Sequence, residues 1–443
     1  MRCLLIDQEG LFLDLALRLA ACGNEVRWYE HVDKGKHEPR DGEGFKGIKK
    51  VPDWREHMPW AKDGLIICSG NYVFMHELDR YREFGYKIFG PSAKSAEMEI
   101  KRFKSMEVMK SLGFDLPPYH MFNSLEEAEQ FARKSDKCYV FKTNGDEGNK
   151  DMTFVSCDPA EMVGWLRNKI ARGVKVGSQC MLQEKIDMLC DYGISGWFGP
   201  EGFLPEKYQI AFEHKRLMDG EIGPQTGEQG TVCQYDPNEK LAKEMLLPMA
   251  PVLQALGHRG DFAIGVGIDS KGKAWPFEVT ARCGWPAFTI QTASHRGDPA
   301  KWMRDLLDGK DSLKVSNDVA IGVVMAQPMY PYAKSPPEMV EGNPISGVDD
   351  VWDNLHLHSV MLGRGPVMKD GKVTEGSVHM TTGEYVLVAT GLGKTITKAR
   401  DKVYSTVNEI KFPSAMYRTD IGKKLEDKLP ALHKAGYALG VEY

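Results

Sequence analysis

Short apolar runs alternate with longer amphipathic stretches over the first ninety residues. Residues 2–6 (RCLLI) predict a buried strand, residues 11–21 (LFLDLALRLAA) an amphipathic helix, and VRWYE, ending at Glu30 after a Gly23-Asn24 turn, a second strand. GLIICSG (64–70), a helix over roughly 74–85 and YKIFG (86–90) continue the alternation, which predicts a parallel sheet with helices on both faces. The Gly90-Pro91-Ser92 stop closes this block. Residues 93–113 then predict one long amphipathic helix running to a glycine cap and the Pro117-Pro118 break.

Beyond that break, residues 139–155 (YVFKTNGDEGNKDMTFV) predict two strands joined by a glycine-bearing polar loop. Further strands are expected at 180–187, 193–199, 262–269 and 274–284, with a helix after Asn238. From Val319 a third block of strands ends in a last helix closing at Ile410. The expected fold class is a multidomain α/β and α+β protein. Its divisions are a doubly wound N-terminal domain (1–90), a central domain (91–315) with a mobile lid over about 115–185, and a small C-terminal α+β domain (316–443).

The length of 443 residues suits about three domains at ~150 residues each. A hydrophobic content of 42% supports packed cores, and a formal charge of −5 provides no bulk field for nucleic acid or an anionic membrane, so neither partner is expected. Nine scattered cysteines, none in a C-x-x-C pair, argue against a disulfide framework or a zinc knuckle. The N-terminus enters a strand pattern without a signal-peptide profile, so a cytoplasmic protein is expected, as a monomer or small homo-oligomer.

Four segments carry candidate chemistry. Lys142 and Lys150 flank the loop that includes Gly145, where backbone N–H groups and two ammonium groups can meet phosphates; a solvated hairpin tip has the same pattern. The strand LQEKID (182–187) can pair its backbone with an adenine edge, with Asp191 in reach of a ribose hydroxyl. Glu278 and Thr280 stand two apart on a strand, so both can aim oxygen at one Mg²⁺. EHKRLMDGEIGPQTGEQG (213–230) reads as a charged, glycine-rich loop that lets backbone approach a ligand. The first strand is not followed by G-x-G-x-x-G, which argues against a dinucleotide-dependent dehydrogenase.

Taken in order, these segments resemble the ATP-grasp ligases, and among them the phosphoribosylamine–glycine ligases. Gly90-Pro91-Ser92 with Ala96, Met98, Glu99, Lys101 and Arg102 resembles the family's connecting helix, and Lys142, Gly145 and Lys150 its glycine-rich loop. Glu213, His214, Lys215, Arg216, Asp219, Gly223, Pro224, Gln225, Thr226, Gly227 and Gly230 match D-H-K-R-x-x-D-x-x-x-G-P-N-T-G-G-M-G, the most specific likeness. Glu278, Thr280, Arg282, Gly284 and Pro286 stand at the corresponding positions of E-F-N-C-R-F-G-D-P, and the likeness runs over nearly the whole chain from Asp63.

The resemblance implies formation of an amide through an acyl phosphate, with release of ADP and phosphate. ATP and Mg²⁺ (or Mn²⁺) would be cofactors, and a small carboxylate such as glycine and an amine the partners. It implies catalytic roles for Arg282, Lys215 and Lys150, and nucleotide contacts from Arg102, Lys142, Gly145, Lys150, Gln183, Glu184, Asp187 and Asp191. Substrate contacts would come from His214, Lys215, Gln225, Thr226, Gly227 and Arg282, and metal ligation from Glu278 and Thr280.

The departures cluster on the amine side. Asp7-Gln8-Glu9-Gly10-Leu11-Phe12 replaces a glycine-rich G-x-G-G-R-E-H turn, and Ser69-Gly70-Asn71 replaces G-P-E, while Thr280 and Trp285 stand at Asn and Asp positions. Negative charge from Asp7 and Glu9 at the end of the first strand predicts poor use of phosphoribosylamine. The alternative reading is a catalytically silent ATP-binding protein that kept the fold.

Overall fold

A computed structural model describes residues 1–8, 10–32, 38–144, 152–331 and 335–443. The N-terminal sheet contains β1 (Arg2–Asp7), β2 (Glu25–Glu30), β3 (Ile48–Lys50), β4 (Leu65–Cys68) and β5 (Ile88–Phe89) in the order β3-β2-β1-β4-β5, with every pairing parallel. Both faces of β1 are buried: Cys3 and Leu5 join one apolar cluster, Leu4 and Ile6 another. This explains why it reads as an unbroken apolar run rather than an alternating one. The strand order reverses between β1 and β4, placing a ligand crevice at their carboxyl ends.

The expected helix over 93–113 is two helices, Ala93–Ile100 and Arg102–Ser111, with the chain turning at Lys101 (φ −96°, ψ 76°). Ser92 starts the first through a capping box with Ser95, which satisfies otherwise orphaned N–H groups. Next comes a four-stranded antiparallel sheet made of β6 (Tyr119–Phe122), β7 (Tyr139–Thr143), β8 (Phe154–Val155) and β9 (Cys180–Glu184), in the order β6-β9-β7-β8. The helices Leu125–Ala132 and Pro159–Ala171 share an apolar cluster with it.

The largest sheet has nine strands, starting with β10 (Met188–Gly199), β11 (Gly202–Phe203), β12 (Gln209–Met218), β13 (Ile222–Tyr235), β14 (Gly260–Asp269) and β15 (Ala274–Thr280). β16 (His295–Arg296) and β17 (Lys314–Val315) form a separate ribbon. β18 (Val319–Ala326), β20 (Leu355–Leu357) and β23 (Tyr385–Gly393) then extend the large sheet, so it runs across residue 316. β19 (Pro344–Ile345), β21 (Val360–Lys369) and β22 (Lys372–Thr381) make a small outer sheet.

Residues 213–230, read from sequence as a loop, lie mainly in the antiparallel pair β12–β13. One glycine of the pair serves close approach: a Cβ on Gly230 would meet Gly322 O at 2.6 Å. The chain also forms a helix after the one expected to be last, Lys423–Ala435. No helix among the described residues is long and apolar enough to cross a membrane.

Candidate active site

Three cations converge on one carboxylate where the four-stranded sheet meets the large one. Lys142, on β7, is buried; its Nζ donates to Gln183 Oε1 on β9 (2.9 Å) and lies 5.3 Å from the Phe277 ring centroid on β15. Burial pushes its pKa down to about 8, partly offset by Glu278. Arg102 opens the second connecting helix, donates to Thr143 O (2.9 Å) and stands 3.5 Å from Glu278 Oε2. The turn at Lys101 starts this helix at Arg102, and Asn144 Oδ1 accepts from Phe103 N (3.2 Å), tying the helix start to the end of β7. Lys215, on β12, pairs with Glu213 (2.8 Å) and lies 3.9 Å from Glu278 Oε1. Glu213 raises the Lys215 pKa most, followed after burial by Glu278 and Asp191, so the ammonium stays charged.

The Glu278 side chain is 45% exposed, and its contacts to Arg102 and Lys215 are long. Thr280 lies two residues on; the β14–β15 bulge precedes Glu278, so alternation between the two is kept. No group of three or more His, Cys, Asp or Glu able to hold a metal occurs among the described residues. This donor set fits a Mg²⁺ held largely by nucleotide phosphates with one or two protein oxygens, and does not fit an all-protein cage.

Arg282 is fixed from behind. Its Nη2 lies 3.3 Å from Glu99 Oε1, Glu99 Oε2 accepts from Ala281 N (2.9 Å), and Arg282 Nη1 donates to Cys283 O. Asp261, buried nearby, is pushed up to about 7 by loss of solvent, which Arg282 partly offsets. Glu99 and Glu213 are thus the counter-charges of two expected catalytic cations. Both lie inside the motifs the sequence displays; Glu213 stands two residues from Lys215 on β12, whereas the Glu99–Arg282 pairing crosses between elements and leaves no local signal.

The remaining expected residues have different surroundings. Gln183 is buried against Lys142, Glu184 pairs with Lys137 (2.5 Å), and Asp187 and Asp191 are exposed, Asp191 opposite Gly267. The Thr226 hydroxyl donates to Lys215 O (2.9 Å), Gln225 is paired with Arg216, and Gly227 faces open space. His214 is fully buried and its Nε2 accepts from Gly422 N (3.2 Å); burial pushes its pKa down to about 3. That places His214 in the joint with the C-terminal segment rather than on a substrate surface, because alternation on β12 sends it to the face opposite Glu213 and Lys215. Gly145, Lys150 and Glu9 lie outside the described residues.

A cavity of about 710 Å³ opens at the carboxyl ends of β1 and β2 and is closed by the C-terminal block; Gln8, Glu30, Asp41, Tyr72, Glu384 and Tyr385 line it. Asp7 does not present its charge there. Its Oδ1 accepts from Gly10 N (3.1 Å) and Ser69 Oγ (3.0 Å), and its Oδ2 from Phe12 N (2.8 Å) and Trp28 Nε1 (3.2 Å). The expectation that Asp7 repels a ligand is therefore corrected: four donors hold the carboxylate inward.

Comparison with known proteins agrees with this architecture. The model of the phosphoribosylglycinamide synthetase C domain matches residues 320–424. The phosphoribosylamine–glycine ligase of Ralstonia nicotianae is 27% identical over 362 residues, covering 78% of this chain and 81% of the relative. That of Salmonella typhimurium is 25% identical over 394 residues, covering 85% and 87%. The crystal structure of phosphoribosylamine–glycine ligase from Thermotoga maritima superposes with a TM-score of 0.70 at 20% identity, over 95% of this chain and 100% of that one. N5-carboxyaminoimidazole synthetase from Staphylococcus aureus, complexed with ADP, gives 0.55 at 12% identity, over 92% and 97%. The chain is thus similar to the phosphoribosylamine–glycine ligases along most of its length and shares their fold.

Proposed function

We propose that the protein is an ATP-dependent carboxylate–amine ligase. A substrate carboxylate oxygen attacks the γ-phosphorus of ATP, the bond to ADP breaks, and an acyl phosphate forms. The amine nitrogen then attacks the acyl carbon, the C–O bond to phosphate breaks, and the amide, phosphate and one proton are released.

The convergence of Lys142, Arg102 and Lys215 on exposed Glu278 carries this reading. Phosphoryl transfer depends chiefly on positioning and on neutralising charge over the transferred group, and three fixed cations supply that without reorganisation. Mg²⁺ bound with the nucleotide would neutralise further phosphate charge, with Glu278 and Thr280 as the protein oxygens that would hold it. Arg282, oriented by Glu99, stands to receive the substrate carboxylate or the leaving phosphate. In this reading residues 91–315 bind ATP, with 115–185 as the lid, and residues 1–90 and 316–443 enclose the amine.

The test is ADP release from purified protein with ATP, Mg²⁺, a carboxylate panel and an amine panel. Release that requires one carboxylate and one amine is expected. Tight nucleotide binding without any such release would establish the silent nucleotide-binding alternative instead.

A further inference from the structure

In a doubly wound domain, backbone N–H groups in the turn after the first strand and at the following helix start form the ready site for a phosphate. Here the chain's own side chains take them. Gly10 N and Phe12 N, at the entry to the helix Leu13–Ala21, both donate to the Asp7 carboxylate. After β4 the pattern repeats: Tyr72 N and Val73 N donate to Gln8 Oε1 (3.2 and 3.1 Å). Asp7 and Gln8 thus act as built-in acceptors on both sides of the β1–β4 crevice, leaving these four amides unavailable to an incoming phosphate.

The cavity wall beyond those amides has acidic character. Asp41 is buried and the Glu30 side chain beside it is only 6% exposed, and Gly10 approaches so closely that a Cβ there would lie 2.9 Å from Glu30 Oε1. Lys50, the cation beside Glu30 (2.8 Å), also donates to Pro39 O (2.7 Å) and does not line the cavity. Among the described residues that do, none is lysine or arginine. Glu384 adds a third carboxylate, with one oxygen accepting from Ser335 N. Tyr385 adds an aromatic wall whose buried hydroxyl has no hydrogen-bond partner among the described residues. Carboxylates beside aromatic rings are the surroundings in which an organic cation is held.

We infer that the amine substrate is an organic cation without a phosphate ester, held in this cavity by Asp41 and Glu384. The inference rests on the ligase reading and separates this chain from its relatives, whose name specifies a phosphorylated amine, phosphoribosylamine. The bound ammonium loses one proton before its nitrogen attacks the acyl phosphate, and a cavity carboxylate would accept it.

The experiment measures ADP release with ATP, Mg²⁺ and glycine or another accepted carboxylate, over two amine sets. One holds ethanolamine, putrescine, galactosamine and an aminonucleoside; the other holds glucosamine 6-phosphate and phosphoribosylamine formed in situ. An amine from the first set should support turnover. Its KM should rise at least about tenfold in Glu384→Gln and in Asp41→Asn, the scale of one charge-assisted hydrogen bond, with the KM for ATP unchanged. Preferred turnover of a phosphorylated amine overturns the inference while leaving the ligase reading intact, as does an amine KM unmoved by both substitutions. ADP release with neither set overturns the ligase reading and this inference with it.

Discussion

Glu278 sits in contact range of two cations while remaining half exposed, an arrangement that ordinary surface pairing does not require. Glu278→Gln keeps the shape and removes the charge, so it is expected to abolish ADP release with an unchanged circular dichroism spectrum; retained turnover would exclude Glu278 as the metal-side carboxylate. Lys142 offers a second test. A buried ammonium costs free energy unless it is paired; its hydrogen-bond partner Gln183 Oε1 is neutral and Glu278 offsets only part of the burial, so an anionic ligand would add compensation. Lys142→Met is expected to weaken ATP binding by at least ~1.5 kcal/mol in calorimetry, and to leave thermal stability equal or higher.

Among the elements, β12 and β13 show why polar sequence need not mean loop. Alternation along β12 buries Ile210, Phe212 and His214 while Glu213 and Lys215 face the site, so the apolar half of the pattern is diluted by functional charge. The break at Lys101 is equally hidden, since buried positions continue on both sides of it. Glycine at close approaches gives an element-level prediction. A Cβ on Gly391 of β23 would lie 2.4 Å from Val403 N and 2.5 Å from Ala399 O in the helix Ile396–Glu409, with no flexible side chain to yield. Gly391→Ala is expected to destabilise by about 1–3 kcal/mol through overpacking, read as a lower urea midpoint. An unchanged midpoint would mean that this helix is not held against the sheet.

For the whole molecule, buried titratable groups set a pH window. Burial and neighbouring Asp41 push Glu30 up to about 9, so its contribution is full below its ordinary carboxylate pKa and declines as pH rises towards 9. His214, His258 and His295 are pushed down to about 3 by burial, so the folded state holds them neutral and loses stability as pH falls below about 6.5. Thermal stability should therefore peak near neutrality. Glu30→Gln should flatten the alkaline arm of the melting profile between pH 7 and 9; a profile identical to the parent's would show that Glu30 is already ionised at neutral pH.

What the sequence determined by itself is the order of local units: the apolar runs of β1 and β4, the capped helix starts, and the spaced motifs with Lys142, Lys215, Glu278 and Arg282. Those signals are local, because strand alternation, caps and close-set motifs depend on neighbours a few residues away. Tertiary structure decided the pairings. Asp7 gained two distant side-chain donors when Ser69 and Trp28 came to face it, and Glu99 met Arg282 across 183 positions. Alternation turned His214 inward, and its partner there, Gly422 N, comes from 208 positions on. A side chain's charge is written in the sequence; the partner that uses that charge depends on which strands and helices come together.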